Sequence, residues 1–340
     1  MILLGKSTFG SVYSDGKHAY KKQSLFRGSR VSSSAIREAI MLNFCNHPRI
    51  VKPLDIYIEK SDLVIKMPIY KSFKEAKDIS ITILTAIEGL IYLHDNDIIH
   101  GDIKPGNIMI DDNDVAVLID FGKSVYNNLP PVGTRNYLSP ENVDKITTGK
   151  EGDMWALGVT FLQLKYSKSI GQLKREGISK FISRLKITDP MLLGLLEIDP
   201  TKRWTARQAF TYMVEGRGEL ESYIIKKVKV PTMKMAVGDI SLYERQMMID
   251  WATKVIGKDL IYKYTSIHDY FITKHAYKMP IYKYPVYGIV FVKLMSLIYL
   301  PNEKASSSTL CSMRTGLSIE SYKGVLVSVL VRMNFKLPFI

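Results

Sequence analysis

Cysteine is almost absent from this chain: only Cys45 and Cys311 occur in 340 residues, far apart. That excludes a disulfide framework and makes a reducing compartment the default expectation. Long apolar runs are missing too. The most apolar stretch, Gly288 to Leu300, is short for a membrane span and contains Lys293, so it reads as a buried helix or strand pair. The opening Met1-Ile2-Leu3-Leu4-Gly5-Lys6 has no basic region followed by an extended apolar segment, and no signal peptide is expected. Acidic residues are the scarcer charge: 33 Asp and Glu face 47 Lys and Arg, for a net charge of +14. An acidic ligand, substrate or surface suits that excess, which does not by itself indicate nucleic acid. Apolar residues make up 46% of the chain, ample for a buried core, and the length allows one large or two modest domains.

The chain is organised around Ile98-Ile99-His100-Gly101-Asp102-Ile103-Lys104-Pro105-Gly106-Asn107. Before it, from Asp78 to His94, apolar residues recur at helical spacing at Ile79, Ile83, Ile87, Leu90 and Ile91. After it comes a short apolar strand, Ile108-Met109-Ile110. One carboxylate, one cation and one carboxamide therefore share a tight loop. Asp102 can accept a hydroxyl proton, Lys104 can neutralise a phosphate oxygen, and Asn107 can hold a divalent cation through its side-chain oxygen. That is the equipment of phosphoryl transfer, in which positioning and charge stabilisation carry most of the catalysis.

A second apolar strand, within Val115 to Ile119, delivers Asp120 at its end, followed by Phe121 and Gly122. Near the N-terminus, strands at Leu3-Leu4 and Ser11-Val12-Tyr13 flank Gly5-Lys6-Ser7-Thr8-Phe9-Gly10. Glycines let a backbone approach phosphates closely and offer N–H groups to them. Gly5-Lys6-Ser7 also mimics the tail of a Walker loop, but the upstream glycine and its spacing are missing. Beyond the turn Ser14-Asp15-Gly16-Lys17, alternation in His18-Ala19-Tyr20-Lys21 puts Ala19 and Lys21 on one face, with Lys22 a rival for any role of Lys21. Ser32-Ser33-Ser34 caps a helix from about Ala35 to Cys45 that carries Glu38, and strands follow at Leu54 to Tyr57 and Asp62 to Met67.

Taken together, these motifs resemble those of the eukaryotic-type serine/threonine protein kinases. The segment from His100 to Asn107 is similar to their catalytic loop, and Asp120-Phe121-Gly122 to the tripeptide that follows it. His47-Pro48-Arg49-Ile50-Val51 is similar to the tract after the kinase C-helix, and Asp199-Pro200 with Arg203 to a motif near the domain's end. The resemblance implies an α+β, bilobal fold over residues 1–215. It would have a small antiparallel-sheet N-lobe with its helix at 1–67 and a larger, mainly helical C-lobe at 68–215. ATP and magnesium are the implied cofactors. Asp102 would orient and deprotonate the acceptor hydroxyl, and Lys104 would offset charge on the transferred group. Lys21, set by Glu38, would hold the α- and β-phosphates beneath Gly5, Lys6, Ser7 and Gly10. Val12 and Ala19, with Met109 opposite, would sandwich adenine. Backbone groups of Lys66 and Met67 would bond its edge, next to Ile65 as gatekeeper. Asn107 and Asp120 would hold the metal. Glu141 would pair with Arg203, Asp153 would hold the catalytic-loop backbone, and His100 would be a core anchor.

Four positions depart from the family pattern: Ser7 stands where glycine is usual, Lys66 where glutamate is frequent, Ser139 where alanine is usual, and Gly101 where arginine is usual. In the family that arginine grips a phosphorylated activation loop. The expectation here is activity without a phosphate on the loop from Lys123 to Val132, where only Ser124 and Tyr126 carry hydroxyls. Lys104 and Thr134 resemble serine/threonine kinases, with dual specificity left open. The reading is ATP-dependent phosphorylation of serine or threonine in protein substrates. A pseudokinase or scaffold that binds a partner through its basic tail is the alternative, and a small-molecule kinase the third possibility.

Residues 216–340 resemble no family. They hold 18 Lys and Arg against 9 Asp and Glu, with tyrosines and lysines alternating at Tyr262-Lys263-Tyr264, Tyr277-Lys278 and Tyr282-Lys283-Tyr284. The region reads as an α+β accessory domain. An acidic partner, or stacking on single-stranded nucleic acid, stays open. Val325 to Val331 is expected as a strand and Ala305 to Thr309 as a loop. The basic segment between Val159 and Leu192 is either a trimmed substrate-docking lobe or a solvated face. The compact lobes would suit a kinase of a large DNA virus. The expected location is intracellular, cytoplasmic or nuclear, away from membranes.

Overall fold

The computed structural model describes residues 1–6, 10–27, 30–126, 133–143, 149–166, 188–215 and 319–332, with isolated positions at 180, 184, 186 and 290. Ser7, the Tyr/Lys pairs between 262 and 284, most of the basic segment before Leu192, the Gly288 to Leu300 stretch and the Ala305 to Thr309 loop lie outside the described residues, Val290 excepted. The chain forms two compact units. The first contains Met1–Phe44 and Pro53–Met67, and the second contains Cys45–Lys52 and Pro68–Lys227.

In the first unit, β1 (Ile2–Lys6), β2 (Ser11–Ser14) and β3 (His18–Ser24) form an antiparallel meander. A short hairpin, β4 (Phe26–Arg27) with β5 (Arg30–Val31), leads to α1 (Ser33–Phe44). β6 (Asp55–Glu59) and β7 (Asp62–Pro68) complete a five-stranded sheet in the order β1-β2-β3-β7-β6. The pleat of β3 decides what faces inward: Ala19 and Gln23 are buried, and Lys21 lies between them on the same face. α1 starts at Ser33, two residues earlier than its sequence suggested. It is buried continuously from Ala35 to Leu42, so it sits as a covered helix rather than a half-wet one.

The second unit is built around α2 (Ile79–Asp95). Asp78 caps it, its carboxylate accepting the Ser80 and Ile81 N–H groups at 2.8 and 3.0 Å. Ile83, Ala86, Ile87, Leu90 and Leu93 are each fully buried, following the helical spacing. β8 (Lys71–Ser72), β10 (Ile108–Ile110) and β11 (Ala116–Leu118) make a small antiparallel sheet, while β9 (Ile98–Ile99) pairs with β12 (Val125–Tyr126). α3 (Pro140–Val143), α4 (Lys150–Tyr166), α5 (Pro190–Leu195) and α6 (Ala206–Glu215) follow. α5 begins before Leu192 because Asp189 caps it and Pro190 fits its first turn. Gly194 is forced by packing: a Cβ there would lie 2.2 Å from the Trp204 ring.

One element corrects the sequence reading. Val325 to Val331 lies in a helix, α7 (Ile319–Arg332), not a strand. The alternating valines suggest a pleat. Burial instead falls on Leu326, Val329 and Leu330, at helical offsets, while Val331 is 54% exposed. α7 falls with the first unit, where Lys323 Nζ lies 5.3 Å from the centroid of the Phe26 ring. Among the described residues, no helix is long and apolar enough to cross a membrane.

Candidate active site

Two backbone decisions shape the loop after β9. Gly101 takes φ of 75°, a left-handed conformation that suits glycine, and Asp120 takes φ of 65°, which is costly for a side-chain-bearing residue. The first turns the chain toward Asp102; the second ends β11 and turns it toward Phe121. The loop is then held from below. Asp153, on the first turn of α4, accepts the His100 N–H at 2.8 Å and the Gly101 N–H at 2.9 Å, and His94 Nε2 lies 3.1 Å from the same carboxylate. The His100 ring accepts the Asp102 N–H on Nδ1 and donates from Nε2 to the Ile119 carbonyl at 3.0 Å. His100 is thus a buried brace that also packs on Phe121, with ring centroids 4.9 Å apart.

Asp102 is the centre of a dense network. Its Oδ2 accepts Lys104 Nζ at 2.7 Å and Asn107 Nδ2 at 3.0 Å. Its Oδ1 accepts Lys123 Nζ at 2.9 Å, the Thr134 N–H at 2.9 Å and the Thr134 hydroxyl at 2.5 Å. Lys104 and Lys123 each also donate to Thr134 Oγ, at 3.1 and 3.2 Å. Burial pushes the Asp102 carboxyl up, but the bonds from Lys104, Thr134 and Lys123 outweigh it and hold the group well below the usual carboxylate range.

Asn107 donates its amide N–H groups to the Asp102 carbonyl, at 2.8 Å, and carboxylate, which turns the amide oxygen the other way. The Ile119 N–H bonds the Asn107 carbonyl at 3.0 Å, bringing the Asp120 turn beside Asn107. One carboxamide oxygen and one carboxylate form a hard-oxygen pair that suits magnesium shared with phosphate and water. Among the described residues, no cluster of three or more His, Cys, Asp or Glu able to hold a metal occurs.

The first unit carries its own buried pair. Lys21 Nζ bonds both Glu38 oxygens, at 2.7 and 2.8 Å, and Gln23 Nε2 bonds the same carboxylate at 2.5 Å. Lys22 points to the other face and pairs with Glu59. Strand parity therefore gives the pairing with Glu38 to Lys21 and not to Lys22. Val12 registers with Lys21 and with Gly5 across the meander, and Ala19 is buried two residue pairs away, on the same face of β3 as Lys21. Gly5 and Lys6 are exposed on β1, and a Cβ on Gly10 would lie 2.2 Å from the Lys22 carbonyl. Met67 is buried on β7. The Lys66 carbonyl already accepts the Leu54 N–H at 2.8 Å, and the Lys66 ammonium lies 5.7 Å from the centroid of the Tyr20 ring. Met109, half-buried on β10, belongs to the second unit.

Two further ties complete the second unit's site. Glu141 and Arg203 form a bidentate pair with contacts of 2.5 and 3.1 Å, the Arg203 side chain being fully buried. Arg203 also donates to the carbonyls of Glu151, Glu197 and Ile198.

Comparison with known proteins decides the family. The family model described as protein kinase domain matches residues 2–213. The chain belongs to the protein kinase family. It is 30% identical over 185 residues to serine/threonine-protein kinase pakH of Dictyostelium discoideum, covering 47% of this chain and 36% of that protein. It is 32% identical over 214 residues to the phosphorylase b kinase gamma catalytic chain, liver/testis isoform, of Bos taurus, covering 51% and 52% respectively. The chain thus spans about a third to a half of the length of these relatives. Within the kinase domain, the residue that sequence reasoning missed is Lys123. It stands directly after Asp120-Phe121-Gly122, but only the turn at Phe121–Lys123 brings its ammonium back onto Asp102.

Proposed function

We propose that this kinase domain transfers the γ-phosphoryl group of ATP to serine or threonine hydroxyls of proteins. The observation that carries the proposal is the Asp102 network: a buried carboxylate flanked by two ammonium groups, a carboxamide and a threonine hydroxyl. In this reading the acceptor O–H bonds Asp102, and its oxygen forms the new bond to the γ-phosphorus. The bond to the bridging β–γ oxygen breaks, ADP leaves, and the acceptor proton passes to Asp102. A carboxylate held so far below its usual range is a weak base, so its chief task is orientation, with the proton arriving late. Lys104 stabilises charge on the transferred group. Lys21, fixed by Glu38, holds the α- and β-phosphates. Magnesium held by Asn107 and Asp120 would neutralise phosphate charge.

The test is Asp102→Ala in the full chain, with magnesium and ATP and a panel of acidic and basic protein acceptors. Loss of transfer with nucleotide binding retained is the expected outcome. A variant that transfers normally, or a wild-type chain that phosphorylates no polypeptide, refutes the reading.

A further inference from the structure

Five donor contacts converge on the Asp102 carboxylate. A carboxylate offers about four lone-pair positions, so an acceptor hydroxyl finds none open. One donor has to leave. The Thr134 N–H and hydroxyl come from a turn closed by the Tyr137 N–H on the Thr134 carbonyl at 2.8 Å. Asn107 is locked by its second bond, to the Asp102 carbonyl. Lys104 holds the other oxygen, Oδ2, by a shorter bond than that of Lys123 to Oδ1. Lys123 alone combines a place on Oδ1 with a flexible stem. Its backbone is pinned on the following residues, where Ser124 Oγ donates to the His100 carbonyl at 3.0 Å and β12 pairs with β9, so only its side chain can swing.

A displaced Lys123 ammonium would sit in a poor place for a lone cation. Its side chain is only 23% exposed, and Lys104 is a near neighbour through Thr134 Oγ, with Arg135 exposed on the next residue. Among the described residues, the other buried carboxylates of this unit are engaged, Asp153 by His94 and the loop N–H groups, Glu141 by Arg203. A partly covered cation needs a counter-charge. We infer that Lys123 is a specificity-determining residue: it yields Asp102 Oδ1 to the acceptor hydroxyl and binds an anionic side chain flanking that hydroxyl in the substrate. This rests on the kinase reading above. The anion is either an acidic side chain or a phosphorylated one.

The test measures kcat and KM of the full chain, with magnesium and ATP, on serine peptides whose flanking positions hold Glu, phosphoserine, Ala or Lys. Wild type, Lys123→Met and Lys123→Arg are compared. Wild type is expected to favour an anionic series through KM by about tenfold, the size of one charge-assisted bond. Lys123→Met is expected to lose that preference, the KM ratio between the Ala and anionic series falling to near one whatever its kcat, and Lys123→Arg to keep it. Better use of Glu peptides identifies a carboxylate as the partner, and better use of phosphoserine peptides identifies a phosphate. Wild type indifferent to flanking charge overturns the inference, and needs no variant to fold. So does a Lys123→Met protein that keeps the preference. A wild type that phosphorylates none of the peptides removes the kinase reading and this inference with it.

Discussion

Asp153→Asn tests whether the α4 carboxylate builds the site. Asp153 meets three groups: the His100 N–H at 2.8 Å, the Gly101 N–H at 2.9 Å and His94 Nε2 at 3.1 Å. Asparagine keeps one oxygen, which can serve His100 and His94. Its amide then faces the Gly101 N–H, donor against donor. A lost bond to a charged group costs about 1.5–3 kcal/mol, and turning the survivors into neutral bonds adds about 0.5–1.5 kcal/mol. The sum is about 2–4.5 kcal/mol. For a unit of this size, each kcal/mol lowers Tm by roughly 2–4 °C, so a fall of about 4–18 °C is expected. Function should suffer more than stability. Gly101 directly precedes Asp102, and a misplacement near 1 Å can cost about 100-fold in rate. Thermal unfolding monitored by tryptophan fluorescence, and single-turnover phosphate transfer below the new Tm, measure the two effects. A Tm within 2 °C of wild type together with a rate within twofold would refute the role given to Asp153.

Other contacts carry three further predictions. Lys21→Met takes the ammonium from Glu38, which is 2% exposed and keeps its bond from Gln23, and should cost about 1.5–3 kcal/mol and all phosphate transfer; adding Glu38→Leu should restore much of the Tm but none of the transfer. Equal recovery of both would disprove the phosphate-holding role. Ser124 is fully buried and donates to the His100 carbonyl, so Ser124→Ala should lower stability by about 1 kcal/mol; combined with Tyr126→Phe, it should still leave the rate nearly unchanged. A collapse of the rate would mean that loop phosphorylation is required after all. His47 is held at about 4, because burial, and then Arg49, disfavour its charged form. Unfolded His47 takes up a proton near pH 6.5 and folded His47 does not. Stability should therefore be complete above pH 6.5 and fall as pH drops toward 4, by about 1–2 kcal/mol once partial exposure is discounted. Denaturant titrations at pH 7 and pH 4.5 on wild type and His47→Asn measure this; an equal pH slope in both proteins would clear His47 of the effect.

The catalytic loop and the Asp120 turn were legible because their chemistry lies in contiguous residues. Asp102, Lys104, Asn107 and Asp120 occur at spacings that only a loop, strand, turn and strand can serve. That Lys21 rather than Lys22 pairs with Glu38 was legible from pleat parity, and the Asp78-capped helix from its apolar period. Lys123 was not legible, since nothing in the sequence says that a three-residue turn returns its ammonium to a carboxylate twenty-one positions earlier. The helix at Ile319–Arg332 was misread for a similar reason: alternating valines satisfy both a pleat and a helix, and only burial of Leu326, Val329 and Leu330 separates them. Ser124 likewise looked modifiable in the sequence and is enclosed in the fold.

By itself, then, the sequence determined the family, the fold class and the identity of the chemical groups, because these depend on local spacing and residue type. Tertiary structure alone decided how many donors share Asp102, that Lys123 is one of them, and which hydroxyl is out of reach. Those are properties of long-range contact, where burial and the count of lone pairs, rather than neighbours along the chain, set what each group can do.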